Sequence, residues 1–251
     1  MSASIFQDSS HQLVIGRGYL HNPKSAVDKS CLFKARLVRA DKFQLDKTPF
    51  IKLRGDEVEI SDPTIASHPG WNGGEPVVLY SVGTPLGDNV TTDIAFSPLD
   101  RPKSRTMIIR ATSLQWWKQA IDKVKEPEVL GNHLFYEFGD GEYSRIAVAD
   151  ISLAGQLTGH RLFLDIRSGN WDADHVSTGP IIPVSRGRAI MVYNGCRDLV
   201  WSIGLLVFDI KSLRIVSRSS NPLITPSHQI GPPAKRIPLA SSAVPSPDAI
   251  H

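Results

Sequence analysis

The eight histidines and two cysteines are the first residues to test for metal or nucleophile chemistry. The histidines form no HxH or HxxxH pair, and Cys31 and Cys196 stand far apart with no CxxC spacing. A zinc site or a redox dithiol is therefore not expected, and no cofactor is implied. Ser241-Ser242 lacks the GxSxG setting of an activated serine. Trp116-Trp117 invites a sugar-stacking reading, although a tryptophan packed against a sheet satisfies the same residues. Asp62 precedes Pro63, where aspartate is favoured as a turn cap whatever else it does.

The elements that would position such residues repeat. Val77-Val78-Leu79-Tyr80 leads through a loop to Asp93-Ile94-Ala95-Phe96-Ser97. His133-Leu134-Phe135-Tyr136 leads to Arg145-Ile146-Ala147-Val148-Ala149, and Ile190-Met191-Val192-Tyr193 to Ser202-Ile203-Gly204-Leu205-Leu206. The tyrosines are 56 and 57 positions apart, each with a glycine (Gly83, Gly139, Gly195) within three positions, where a strand must turn. A strand-pair period of this length points to a β-propeller, whose inner strands gather around one central funnel where small molecules bind. The segment 31–38 alternates like an earlier strand, and Leu213–Val216 continues the last unit. Gly139-Asp140-Gly141 reads as a hairpin turn. Leu114, Trp117, Ala120, Ile121 and Val124 fall at helical spacing, so a helix is expected from Ser113 to Lys125, stopped by Pro127.

Seven of the eighteen prolines follow Asn221, and Ile237–Val244 reads as a strand with no partner after it. Residues 1–12 read as a polar tail and 13–251 as one domain. The fold expected is all-β: a five-bladed β-propeller whose last blade is incomplete or is closed by the N-terminus, with residues 13–20 as the closing segment. With 41% hydrophobic and 21% charged residues the chain is globular. A net charge of +3 without a basic run gives no phosphate-tracking face, so nucleic acid is not an expected partner. No segment has a signal peptide's apolar core or approaches the roughly 18 apolar residues of a membrane helix, so the expected setting is cytoplasmic with no membrane partner.

Several short motifs occur in a telling order: Asn22-Pro23, Arg36, Ser61-Asp62-Pro63-Thr64-Ile65, Trp171-Asp172, Thr178-Gly179-Pro180, Met191-Val192-Tyr193-Asn194-Gly195, then Arg218 with Asn221-Pro222. In this the chain resembles glycoside hydrolase family 130, five-bladed propellers that include β-mannoside phosphorylases and β-mannosidases. The resemblance spans roughly residues 20–245 and implies cleavage of a β-linked mannoside or related oligosaccharide by single displacement. It places the general acid at Asp62, since a departing glycosidic oxygen needs a proton from a carboxyl group. It places Asn22 and Arg36 against the sugar, and makes Asp172, His175, Tyr193 and Asn194 candidate substrate contacts. The family's phosphorylases resemble Asp-Pro-Arg and Tyr-His-Gly where this chain has Asp62-Pro63-Thr64 and Tyr193-Asn194-Gly195. Losing two cationic groups favours water over inorganic phosphate as the acceptor. An inverting hydrolase needs a second carboxylate roughly 6.5–9.5 Å from the acid, for which Asp172, Asp174 and Glu75 are candidates. The alternative reading is a non-catalytic propeller that binds a glycan or a protein through a decayed site. A second carboxylate, or a cluster of two or more cations, across from Asp62 separates the two.

Overall fold

The structure is a computed structural model that describes residues 3–7, 12–20, 29–39, 42–139, 142–184 and 187–226. It is all-β, and the described residues contain no α-helix. Strands β1 (Ala3–Gln7), β2 (Gln12–Leu20), β3 (Lys29–Arg39) and β4 (Lys42–Leu45) form one antiparallel sheet. Three further antiparallel units follow. The first comprises β5 (Glu59–Ala66), β6 (Val77–Leu86), β7 (Asn89–Pro98) and β8 (Thr106–Ile109). The second comprises β9 (Lys123–Leu130), β10 (His133–Gly139), β11 (Ser144–Ile151) and β12 (Leu157–Leu164). The third comprises β13 (His175–Ser177) and β14 (Ile181–Val184), both paired to β15 (Arg188–Arg197), then β16 (Val200–Asp209) and β17 (Ile215–Arg218).

The strand pairs read from the sequence are the central hairpins β6–β7, β10–β11 and β15–β16. They do not belong to fully separate sheets. One parallel bridge joins β7 to β9 (Thr92 with Lys123) and another joins β11 to β13 (Ser144 with His175), which makes the three units one hydrogen-bonded surface.

Packing explains why the central strands are continuous apolar runs rather than alternating ones. Val77, Val78, Leu79 and Tyr80 are all buried because both faces of β6 are covered. Val78, Tyr80 and Val82 pack against Ile15, Leu32 and Ile51 of the N-terminal region. Val77 and Leu79 pack against Leu134, Tyr136 and Phe138 of the next unit. The opposite face of that unit, with Phe135, Ile146 and Val148, meets Ala189, Met191, Tyr193 and Phe208. The sheets therefore stack face to face in chain order. At one of these interfaces Phe135 lies 4.9 Å from Phe163 and 5.6 Å from Phe208, ring centre to ring centre.

Six expectations are corrected or bounded. No helix forms between Ser113 and Lys125: a 3-10 turn at Ala111–Ser113 leads through a bend at residues 116–119 into β9. There Val124 faces the core while Lys123 and Lys125 both reach Glu137, the alternation of a strand, so pairing to β10 overrides the local helical spacing. Trp116 and Trp117 pack on Phe138 without a helix, at 4.9 and 5.2 Å. Gly83 and Gly195 lie inside strands, not at turns, and Gly195 is required because a Cβ there would come within 2.4 Å of Trp171. Residues 3–7, read as tail, form β1, and the segment 13–20, read as closing the last unit, pairs with β1 and β3. The strand expected at 237–244 and the turn at Asp140-Gly141 lie outside the described residues.

Since Phe135 joins two units, we predict that Phe135→Ala lowers unfolding free energy by about 3–5 kcal/mol. Urea titration followed by tryptophan fluorescence measures it, and a loss below about 1 kcal/mol would show that this interface does not hold the units together.

Candidate active site

The residue after each repeated tyrosine is polar and buried: Ser81, Glu137 and Asn194. Each pairs in register with a first-strand residue, Ser61 with Ser81, Lys125 with Glu137 and Ser177 with Asn194. Immediately beyond these pairs the first strands lose register. β5 shifts between Ser61 and Thr64, β9 shifts opposite Phe135 and Glu137, and β13 gives way to β14. At each irregularity a proline follows: Asp62-Pro63, Glu126-Pro127, Gly179-Pro180. A bulge or break re-aims the side chain it carries, which brings the site's residues together.

Asp62 and Glu126 share an unusual backbone. Their φ angles are +52° and +53°, and they are the only non-glycine residues inside a described strand with positive φ. Such a conformation costs of order 1–3 kcal/mol and is retained where the surroundings enforce it, often at functional positions. One serine joins the two: Ser81 Oγ accepts the Glu126 N–H at 3.1 Å and donates to Asp62 Oδ2 at 3.0 Å. Ser61 Oγ donates to the same oxygen at 2.9 Å. Two hydroxyl donors on one oxygen fix how the Asp62 carboxyl is turned.

Around Glu126 the charges are dense. Lys125 Nζ lies 3.6 Å from Glu126 Oε1 and 3.6 Å from Glu137 Oε2, and Lys123 Nζ lies 3.0 Å from Glu137 Oε1. The Glu126 side chain keeps 17% of its surface exposed. Its Oε2 is buried with no hydrogen-bond partner among the described residues. Burial pushes the Glu126 carboxyl up to about 8; Lys125 opposes, while Glu137 and Asp62 act with burial. Burial also pushes Glu128 up to about 8, against a hydrogen bond from Thr64 Oγ1 to Oε1 at 3.1 Å. Glu137 is buried too, but Lys125 and then Lys123 outweigh the burial and hold it below the usual range. Asn194 Nδ2 donates to Ser177 Oγ at 3.2 Å and to the Thr178 carbonyl at 3.4 Å, and Thr178 Oγ1 donates to the Glu126 carbonyl.

The other sequence candidates are placed elsewhere or at the margin. Asp172 is fully buried; Arg167 donates to it at 3.0 and 2.8 Å, Tyr193 Oη at 2.8 Å, and Arg218 adds a second guanidinium. Tyr193, stacked on Trp171 and pushed up to about 12 by burial, belongs to this tie and faces the opposite side of β15 from Asn194. The arrangement is structural and repeats: Tyr80 Oη accepts from Arg105, which is paired to Glu57, and Tyr136 Oη bonds His160 Nδ1 at 2.8 Å. Asp174 accepts the Asp198 N–H at 2.7 Å, and Glu75 is exposed beyond the 3-10 turn at Asn72–Gly74. His175 stacks on Trp201 at 5.7 Å, meets Ser144 Oγ at 3.2 Å and feels Lys123 and Glu137; burial holds it below its usual value. Arg36 is exposed on β3 opposite Leu13 and Gln44. Asn22 lies outside the described residues. Glu126 was absent from the candidates, and its signal was the repeat of a carboxylate–proline pair at the same place in the next unit.

A cavity of about 570 Å³ lined by Phe50, Lys52, Arg54 and Arg105 does not include Asp62 or Glu126. Its Arg105 is consumed by Glu57 and Tyr80.

No protein-family model and no curated protein sequence matches the chain. Solved structures do. A structure from work on the family 130 mannoside phosphorylases, which contain glycoside hydrolases that target β-1,2 mannosidic linkages in Candida mannan, is 17% identical with a TM-score of 0.62, over 90% of this chain and 71% of its own. A β-1,2-mannobiose phosphorylase from Listeria innocua, in complex with β-1,2-mannobiose, is 12% identical with a TM-score of 0.60, over 90% and 76%. A glycosyl hydrolase from Bacteroides ovatus is 18% identical with a TM-score of 0.58, over 90% and 71%. The chain thus has a fold like that of glycoside hydrolase family 130.

Two predictions follow from these charges. Glu126 and Glu128 bind protons more tightly folded than unfolded, so their stabilising effect is complete below the ordinary carboxylate value and is lost as pH rises through about 8. The melting temperature should fall between pH 5 and pH 9, and Glu126→Gln with Glu128→Gln should flatten that fall. Asp172→Ala, which strands two guanidiniums, should cost about 3–5 kcal/mol in chemical denaturation. A near-neutral effect would mean that the arginines do not depend on it.

Proposed function

We propose that the chain is a carbohydrate-active enzyme that cleaves a β-linked mannoside or related oligosaccharide by single displacement, with Asp62 and Glu126 as its two carboxyl groups. The reading takes the fold as a five-bladed β-propeller to which the described units contribute. The observation that carries it is the pair of strained, in-strand carboxyls linked through Ser81. Such chemistry needs one carboxyl to protonate the leaving oxygen and another to activate the attacking water. A binding module has no need of the second, so Glu126 favours the enzyme over the glycan- or protein-binding alternative.

Water is favoured over inorganic phosphate as the acceptor. A phosphate dianion wants cationic donors, but Lys123 and Lys125 are engaged by Glu137, Thr64 is spent on Glu128, and Asn194 is a neutral amide already bonded. Among the described residues no helix is long and apolar enough to cross a membrane. The free, buried Cys31 and Cys196 fit the cytoplasmic setting we propose.

The test is a screen of aryl β-glycosides and mannooligosaccharides with and without phosphate. Hydrolysis independent of phosphate is expected. Asp62→Asn and Glu126→Gln should each lower turnover of an oligosaccharide at least about a hundredfold while leaving sugar binding largely intact. Wild-type rates in both purified, folded variants would sink the assignment.

A further inference from the structure

Apart from the carboxyl site, we infer that the cavity between the N-terminal sheet and the first unit binds a small phosphate monoester with a ring in its body. The lining is divided by chemistry. Pro49, Phe50 and Pro102 are half-buried and supply apolar surface, while Lys52, Arg54 and Lys103 are exposed cations at the margin. Among the described residues none of these three cations has an ion-pair partner. Arg105 also lines the cavity, but Glu57 matches its charge. Asp46 carries the one remaining negative charge of the lining. Three unmatched cations and one carboxylate leave +2, the complement of a phosphate monoester, which carries close to two negative charges at neutral pH. A carboxylate, with a single charge, would leave one cation unmatched.

The cavity is held open by the protein's own bonds. One wall is the chain between β4 and β5, at residues 46–54, and the other is the connection between β7 and β8, at residues 102–105. Arg105, with 5% of its side chain exposed, ties them together. It is paired to Glu57, its Nε donates to Tyr80 Oη at 3.0 Å, and its Nη2 donates to the Lys52 carbonyl at 3.1 Å. Arg54 crosses in the other direction: its Nη2 donates to the Lys103 carbonyl, and its backbone N–H donates to Glu57 Oε2 at 2.8 Å. These bonds fix the backbones of Lys52 and Lys103 and spend neither ammonium group, so little ordering is left for a ligand to impose. Lys34 Nζ, 5.7 Å over the Phe50 ring, adds positive charge beside the same wall. A volume of about 570 Å³ is in the range of small-ligand sites. Neither Asp62 nor Glu126 lines it, and β8 stands three strands from β5, roughly 14 Å at the usual strand spacing. Binding here is therefore distinct from the chemistry at the carboxyls.

Calorimetric titration of the full chain tests this with inorganic phosphate, 4-nitrophenyl phosphate, a hexose 6-phosphate and a nucleoside 5′-monophosphate. The aryl ester should bind at least about tenfold more tightly than inorganic phosphate, because it alone of the two reaches Phe50 and the prolines. The tighter of the sugar and nucleoside esters then identifies which kind of body the apolar wall accepts. Lys52→Ala combined with Lys103→Ala should weaken every ester at least about tenfold, since charge-assisted contacts to the phosphate are lost. Both side chains are exposed, and Arg105 holds the Lys52 carbonyl rather than its ammonium group, so the melting temperature of this variant should not change. Unchanged ester affinity in the folded double variant would place the phosphate elsewhere and overturn the inference. Equal affinity for inorganic phosphate and the esters, or no binding of any probe at millimolar concentration, would overturn it as well.

Discussion

The constraint on which the rest of this structure depends is that the first and second units are each covered on both faces by their neighbours. Tyr80, Tyr136 and Tyr193, all fully buried, show how complete that covering is. Strands enclosed in this way carry mostly apolar side chains along their middles, and Glu137 in the middle of β10 is buried with Lys123 and Lys125 beside it. Polar groups gather where the pleat is interrupted, at the bulges of β5 and β9 and the break after β13. The carboxyl pair sits there because only there does the first strand leave its ladder and turn a side chain out of the stack.

The same geometry separates two kinds of charged cluster. In one, Asp172 is buried between Arg167 and Arg218 with Tyr193 completing its hydrogen bonds, and Glu57, Arg105 and Tyr80 repeat the motif. Both Asp172 oxygens have donors, which marks a clamp between distant parts of a unit. In the other, around Glu126, carboxyls outnumber the ammonium groups and Glu126 Oε2 has no hydrogen-bond partner among the described residues. Like charges kept together in low dielectric are expensive, and they persist where chemistry needs proton affinities pushed apart.

Much of the fold was legible in the sequence because its dominant force is periodic. Apolar runs ending in tyrosine recur at 56 and 57 residues, and each became a central hairpin. The error at Ser113–Lys125 has the same origin, since helical spacing of five apolar residues says nothing about Glu137 waiting across the ladder. Of the site, the order of short motifs pointed to Asp62. Glu126 stayed hidden because Pro127 read as a helix stop rather than as the second copy of Asp62-Pro63. Asp172 and Tyr193 looked like sugar contacts because Arg218, 46 residues beyond Asp172, is joined to them only by folding.

The central claim is that two carboxyl groups cleave a β-linked sugar in one displacement. Proton NMR of the first product released from a β-mannoside, recorded before mutarotation, tests it most directly. Single displacement predicts that the α-anomer appears first and the β-anomer only later. First release of the β-anomer would mean a covalent intermediate and two displacements, and would contradict the account.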